Sequence, residues 1–396
     1  MAVEQQVKEF ESLVELLEDL DREGITGIAR VRTMGNFLLR KSRLQGKPYS
    51  ASFELTPLCN FSCKMCYMHL TKEQVQREGR ILSTEEWLDI ARQAVDAGVM
   101  NVDLTGGECL THPGFAEIFR YLVERGVHVS VLTNGQLLHD KHIELFTRYR
   151  PVVVQISLYG SNSEGYVRVT GKDAFSDVLN AINQLKEAGI RVSLTVMPNR
   201  FMKDDAPAIL DLLHSLNIDY RIGMTTLPAR PETGRQIEEY IIDNEAYVDI
   251  CKLEEEYQIR MAEKYSLPPS KRYDFRIKGQ DQFVGIPCAA GAAHFHINWK
   301  GEMQPCVGFH GITRSVLEDG LDSAWVWIRE LMKQYSTPSE CQSCEYKKNC
   351  VGCAAEKTSG VFNGSINKWV CKRLKDFNRL SLGNPMDQSN IGSDML

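Results

Sequence analysis

Residues 50–67 read SASFELTPLCNFSCKMCY, a short β-rich run that leads into three cysteines, Cys59, Cys63 and Cys66, spaced C-x3-C-x2-C. Three thiolates on one short loop can hold three irons of a cubane and leave the fourth iron open to another ligand. Zinc is the competing metal. A structural zinc site wants a fourth protein ligand close by, and His69 is the residue that could supply it.

Downstream of this loop, β-rich runs recur as NVDLTGG (101–107), VHVSVLTNG (127–135), VVVQISLYG (152–160), RVSLTVMP (191–198) and YRIGMT (220–225). Helical patterns separate them at 84–97, 115–125, about 138–148, 174–188 and 205–216. Six strands alternating with helices predict parallel β/α units, because a parallel connection needs a crossover that covers both faces of the sheet. Gly98, Gly126 and Gly189 each fall between a helix and the next strand, where a left-handed cap is wanted. Polar and glycine residues cluster just after the strands, at the end that forms the active mouth of a β/α barrel or open sheet.

The composition agrees with one large domain plus a smaller one: 396 residues, 43% of them hydrophobic. This excludes a fibre, a disordered tail and a disulfide knot. A net charge of -6 without a long Lys/Arg block argues against a nucleic-acid-coating protein. No apolar run approaches a membrane span, and no export signal precedes the chain's 12 cysteines, so they are expected to stay reduced in the cytoplasm. Clustered spacing then points to metal rather than disulfides. Upstream, Val7, Phe10, Leu13, Leu16, Leu17 and Leu20 recur at helical intervals and predict a packed amphipathic helix over residues 1 to about 23. Arg40-Lys41-Ser42-Arg43 reads as a solvated connector.

The cysteine loop, its place after the first strand, and Leu104-Thr105-Gly106-Gly107-Glu108 after the second together resemble the radical S-adenosylmethionine (SAM) superfamily over about residues 50–226. The resemblance implies an α/β fold with a partial (β/α)6 TIM-like barrel, whose open iron binds the amino and carboxylate groups of SAM. One electron from the reduced cluster would cleave the sulfonium to methionine and a 5'-deoxyadenosyl radical, which abstracts a substrate hydrogen. Gly106 and Gly107 would let the backbone approach a ligand closely, and Glu108 would accept hydrogen bonds from its ammonium group. Thr133-Asn134-Gly135 and Ser157 look like the family's polar contacts to ribose and methionine, and Tyr67 resembles the aromatic beside adenine. Arg168 is either a partner of the methionine carboxylate or a surface-helix arginine. Where the family commonly has proline after GGE, this chain has Cys109. It reads as a small residue filling a turn or as a catalytic thiol able to donate hydrogen near the radical. Cys251 has no motif partner and reads as core.

A second cysteine region, Cys288-x12-Gly301-x4-Cys306, Cys341-x2-Cys344-x5-Cys350-x2-Cys353 and Cys371, resembles the SPASM extension over about residues 283–375, with zinc fingers as the alternative. The family usually has three residues between its last paired cysteines, and here there are two. By the family's interleaved arrangement, Cys341, Cys344, Cys350 and Cys371 would hold a distal cluster, and Cys288, Cys306 and Cys353 a nearer one. That nearer cluster's fourth position would be open, filled by a non-cysteine ligand, or completed by a substrate thiolate, which soft iron favours. The resemblance thus implies three [4Fe-4S] clusters and SAM. His294 and His296 share one strand face and read as solvated or core-edge residues, and Asn298–Glu302 as a scaffolding hairpin turn.

The expected organisation is an N-terminal helical extension (1–49), the barrel (50–227), a bridge (228–282), the auxiliary-cluster domain (283–375) and a tail (376–396). The favoured activity is an oxidative thioether or carbon–carbon crosslink in a ribosomally made peptide. Residues 1–49 are short for a complete leader-binding domain, so recognition would use direct contacts or a separate leader-recognition protein. A reductant such as flavodoxin or ferredoxin would be the other partner, with no nucleic acid and no membrane. The alternatives are peptide epimerisation or small-molecule dehydrogenation with Cys109 as hydrogen donor, formylglycine formation as in sulfatase maturases, and a non-enzymatic iron–sulfur electron-transfer scaffold. Sulfatase maturases usually carry Asp after the cysteine matching Cys306; Val307 stands there.

Overall fold

The computed structural model describes residues 8–223, 227–264, 275–277, 285–347, 350 and 352–382. Its first element is a strand, β1 (Lys8–Phe10), and α1 (Leu13–Arg22) starts only after Ser12. The Ser12 hydroxyl accepts from the Glu15 amide while the Glu15 carboxylate accepts from the Ser12 amide, a capping box that fixes the helix start. The single helix expected up to residue 23 is therefore a strand and a shorter helix; Val7 lies outside the described residues. Phe10, Leu16 and Leu20 still bury together, against Phe37 of α2 (Gly27–Gln45). Residues 40–43 belong to α2 and are not a connector. The Arg43 guanidinium donates to the carbonyls of Ile286 and Pro287, which ties α2 to the C-terminal half.

The six expected strands are β2 (Ser50–Glu54), β3 (Asn101–Thr105), β4 (His128–Thr133), β5 (Val153–Ser157), β6 (Val192–Val196) and β7 (Asp219–Ile222). Each pairs in parallel with the next, as the partial (β/α)6 barrel requires. The connections carry α3 (Lys72–Glu78), α4 (Thr84–Asp96), α5 (Phe115–Glu124), α6 (Asp140–Arg148), α7 (Ser163–Thr170), α8 (Phe175–Glu187) and α9 (Ala206–Leu216). Gly98, Gly126 and Gly189 end helices at φ 87, 79 and 63°, the left-handed conformation their positions called for. Side chains alternate across β2: Ala51 and Phe53 face the helices, with the Phe53 ring 5.5 Å from Trp87 of α4. Ser50, Ser52 and Glu54 therefore face the concave side.

In the expected bridge lie α10 (Asn244–Lys264) and β8 (Phe275–Ile277), the strand that pairs with β1. The C-terminal half then joins the barrel sheet directly. β9 (His294–Ile297) pairs in parallel with β2, and β10 (Glu302–Gln304) and β11 (Arg314–Ser315) continue outward, giving the order β11-β10-β9-β2-β3-β4-β5-β6-β7. This is why His296 is buried and His294 half-buried, the core-edge alternative of the two expected. Their face, which a free hairpin would expose, is continuous with the concave face of β2, where His294 Nδ1 lies 2.9 Å from Ser50 Oγ and His296 is fully buried. Phe295 points the other way, onto Trp325. The helices α11 (Val316–Asp319), α12 (Leu321–Lys333), α13 (Ser339–Gln342), α14 (Ala354–Lys357) and α15 (Lys368–Leu382) complete this half. The expected tail from 376 thus begins as the last turns of α15. No helix among the described residues is long and apolar enough to cross a membrane.

Candidate active site

The loop after β2 is held from three directions. The carbonyls of Val169 and Thr170, at the end of α7, accept from the amides of Lys64 and Ser62 at 3.0 and 3.1 Å. The Asn134 side chain donates to Asn60 Oδ1 at 2.7 Å, and Asn60 donates to Gln136 Oε1 at 2.8 Å, so the TNG turn after β4 latches the loop. Amides also point at sulfur: Phe61 N lies 3.3 Å from Cys59 Sγ and His69 N 3.2 Å from Cys66 Sγ, with Asn134 Nδ2 3.7 Å from Cys59 Sγ. Such N–H donors stabilise the anionic sulfur of a metal-bound thiolate. Burial pushes the Cys59 thiol up to about 12 and Cys63 well above its ordinary value, with the neighbouring loop thiols adding to both. A bound metal reverses that balance, since it takes the thiolates only.

The GGE motif supports the same loop from behind. The Gly107 amide donates to Thr56 O at 2.7 Å and the Glu108 amide to Leu58 O at 2.9 Å. A Cβ on Gly106 would sit 2.6 Å from Thr56 O, and one on Gly107 would sit 2.5 Å from Leu58 O. The close approach these glycines permit is therefore to the backbone entering the cysteine loop. Glu108 is buried, and its carboxylate accepts from Thr133 Oγ1 at 2.8 Å, Asn134 N at 2.7 Å and Leu110 N at 3.1 Å. In this structure it welds β3 to the TNG turn.

The remaining candidates are distributed around this centre. Ser157 is the last residue of β5, paired with Thr195 of β6. Arg168, on α7, donates to Phe201 O at 3.1 Å and lies 3.8 Å from Glu164. Cys109 is buried within the principal core and its thiol donates to Leu132 O at 3.3 Å. Cys251 sits on α10 beside Tyr247, and burial pushes its thiol up to about 11.

The C-terminal thiols fall into two neighbourhoods. Burial pushes Cys306 up to about 12, with Cys353 and Cys288 adding to it, and Cys288 in turn feels Cys353. Separately, burial raises Cys341, beside Cys350, Cys371 and Cys344, and raises Cys371, beside Cys344 and Cys350. Burial pushes the Tyr335 phenol up to about 12, and its ring packs against Phe309 and Phe362. Among the described residues, no three His, Cys, Asp or Glu side chains converge tightly enough for one shared metal ion. Burial raises the Tyr67 phenol, with the charge of Cys66 adding to the effect, and the Tyr67 carbonyl accepts from the Arg230 amide at 2.9 Å.

Sequence reading missed the buried ionic group to which Arg230 belongs. Glu54, at the end of β2, receives Arg230 in two parallel hydrogen bonds of 2.9 and 2.7 Å, and His296 Nε2 lies 3.3 Å from the same carboxylate. The positive charge of Arg230 and the hydrogen bonds hold the Glu54 carboxyl below its ordinary value despite complete burial. The available signal was a glutamate on the inner face of a covered strand, which demands a partner.

Residues 53–213 match the Radical SAM superfamily. Two Bacillus subtilis proteins are similar in sequence. The antilisterial bacteriocin subtilosin biosynthesis protein AlbA is 34% identical over 171 residues, which cover 42% of this chain and 37% of AlbA. The sporulation killing factor maturation protein SkfB is 27% identical over 260 residues, covering 65% of this chain and 60% of SkfB. The matched part of the chain thus spans less than two thirds of either relative. Among solved structures, Streptococcus suis SuiB bound to its precursor peptide SuiA superposes with a TM-score of 0.63 at 18% identity, covering 90% of this chain and 87% of that one. Residues 53–213 are thus similar to the radical SAM superfamily, whose cofactors are a [4Fe-4S] cluster and SAM. The likeness to SuiB extends the shared fold over the C-terminal half as well.

Proposed function

We propose that the chain is a radical SAM enzyme that abstracts hydrogen from a peptide and closes an oxidative thioether or carbon–carbon crosslink. The observation that carries this reading is the Cys59–Cys66 loop, whose sulfurs receive the amides of Phe61 and His69 and the Asn134 side chain, inside the stretch that matches the Radical SAM superfamily. When bound, the barrel cluster and SAM supply one-electron cleavage to a hydrogen-abstracting radical. Cys59, Cys63 and Cys66 are the ligands in this reading, with the amides of Phe61 and His69 and the Asn134 side chain donating to sulfur. The donor chemistry fits: three free thiols on one loop, Cys63 buried and Cys59 and Cys66 half-buried.

Two auxiliary [4Fe-4S] clusters complete the proposal, a nearer one on Cys288, Cys306 and Cys353 and a distal one on Cys341, Cys344, Cys350 and Cys371. A crosslink removes two protons and two electrons from the peptide: one of each leaves together as the abstracted hydrogen atom, and a second proton and a second electron leave as the new bond closes. An acceptor beside the radical site takes the second electron, and a three-cysteine site leaves room for a substrate thiolate. The names of AlbA and SkfB, a bacteriocin biosynthesis protein and a killing-factor maturation protein, support a peptide as substrate. The peptide, a reductant of the flavodoxin or ferredoxin type, and a reducing cytoplasmic setting belong to the same reading, as do Tyr67, Gly106, Gly107, Glu108, Thr133, Asn134, Ser157 and Arg168 as the surroundings of SAM.

The test is anaerobic. Reduced, fully loaded protein should release 5'-deoxyadenosine and methionine from SAM, and release of neither rejects the reading. With a peptide encoded beside the gene, tandem mass spectrometry should find a loss of two hydrogens and linked fragment ions. Unchanged mass with solvent deuterium at one Cα would instead mean epimerisation.

A further inference from the structure

The segment after the last barrel strand, residues 227–243, folds back over the cysteine loop as a strap. It is closed on itself by the Tyr240 hydroxyl, which donates to Leu227 O at 3.1 Å. Tyr240 and Ile241 pack against Met65, inside the loop, and against Phe201. Gln74 of α3 donates to Glu232 O at 2.8 Å, and the Arg230 amide donates to Tyr67 O at 2.9 Å.

The strongest attachment is Arg235. One of its guanidinium nitrogens, Nη1, donates to the carbonyls of Cys63 at 2.7 Å, Lys64 at 3.2 Å and Cys66 at 3.0 Å. Three carbonyl oxygens facing one point repel each other, so this turn of backbone is favourable only around a cation or a strong donor. The three carbonyls bracket two of the thiols, and fixing their peptide planes fixes where the Cα–Cβ bonds of Cys63 and Cys66 point.

We propose that Arg235 is a positioning residue for the barrel cluster: its guanidinium gathers the Cys63, Lys64 and Cys66 carbonyls and so holds two of the three thiols in ligating directions. This rests on the reading that the loop holds a cluster. It makes the strap, which contributes no cysteine, part of the cluster's support. Groups of this kind, one shell out from the metal, typically change metal retention by about 10- to 100-fold when removed.

The experiment uses the full chain, reconstituted anaerobically with iron and sulfide, and follows iron release to a ferrous chelator. Loop iron is identified as the iron that a Cys63→Ala, Cys66→Ala double variant fails to take up. Arg235→Met should release the loop iron about tenfold faster while the remaining iron leaves at the wild-type rate. Arg235→Lys keeps the charge and should fall between the two. Arg200→Met is the control, because Arg200 reaches the strap at Glu239 O and makes no bond to the loop carbonyls. Wild-type release from Arg235→Met overturns the proposal, as does equal acceleration of all iron, which would mean general loosening. If the double variant takes up as much iron as wild type, the loop holds no cluster and both readings fall. If iron release follows the expected pattern but reduced protein leaves SAM intact, only the proposed function falls.

Discussion

Arg230 forks onto the Glu54 carboxylate with both partners buried, joining the last residue of the first barrel strand to the strap that crosses the barrel loop. Each charge is tolerable there only because of the other. Arg230→Met should therefore cost about 3–5 kcal/mol, because it leaves an uncompensated buried carboxylate. Adding Glu54→Gln should recover part of that loss. Denaturant unfolding of the metal-free chain measures both, and equal stability of the single and double variants would mean that the pair is not coupled.

Gly107→Ala should displace the backbone at residues 57–58, because the new methyl meets the Leu58 carbonyl and no rotamer relieves a Cβ clash. The expected cost is about 1–3 kcal/mol, the usual range for forced overpacking, together with reduced iron uptake. Gly126→Ala is the contrast: φ is 79° there but nothing lies within 4 Å, so strain appears in the melting temperature while iron per chain stays at the wild-type value.

Cys109→Ala should leave 5'-deoxyadenosine release and the product unchanged and cost about 1 kcal/mol in stability, as expected for trimming one buried atom. Coupled measurement of deoxyadenosine and peptide product checks it. Loss of product with intact SAM cleavage would restore the thiol as a hydrogen donor.

His142 supplies a pH dependence. Burial beside Phe115 pushes its imidazole down to about 4, and Nδ1 accepts from the His139 amide at 3.2 Å, so it is neutral in the fold. The unfolded chain takes up this proton near 6.5 and the folded chain only near 4. Stability is thus fully present above pH 6.5 and lost as pH falls toward 4, by at most about 1.4 kcal/mol per pH unit from this group. Melting curves of wild type and His142→Gln between pH 7 and 5 should converge as the pH falls.

The barrel was legible in the sequence because its cues are local. Strand runs, helical periods and capping glycines each lie within a dozen residues, and the Cys59–Cys66 loop announces itself by spacing alone. What escaped was set by distant pairing. Glu54 meets a partner 176 residues away and Arg235 reaches Cys63 across 172, so neither has a local pattern. The glycines of GGE read as a place where backbone must come close, and within the protein that approach is to Thr56–Leu58, because sequence marks where a small residue is needed without saying what crowds it. The C-terminal hairpin was foreseen as a turn between cysteines, but its parallel union with β2 could not be, since strand partners are chosen by the exposed edge of a finished sheet.

That union has a mechanical consequence. Because β9 shares its ladder with β2, the two cysteine-bearing halves form a single beam with no hinge at their junction, and the spacing from Cys66 to Cys306 is set at folding. In the proposed reaction, a peptide that visits both stations would have to supply the bending itself. Stiff segments would then be poor clients whatever their side chains, and glycine-rich or unstructured ones would be good clients.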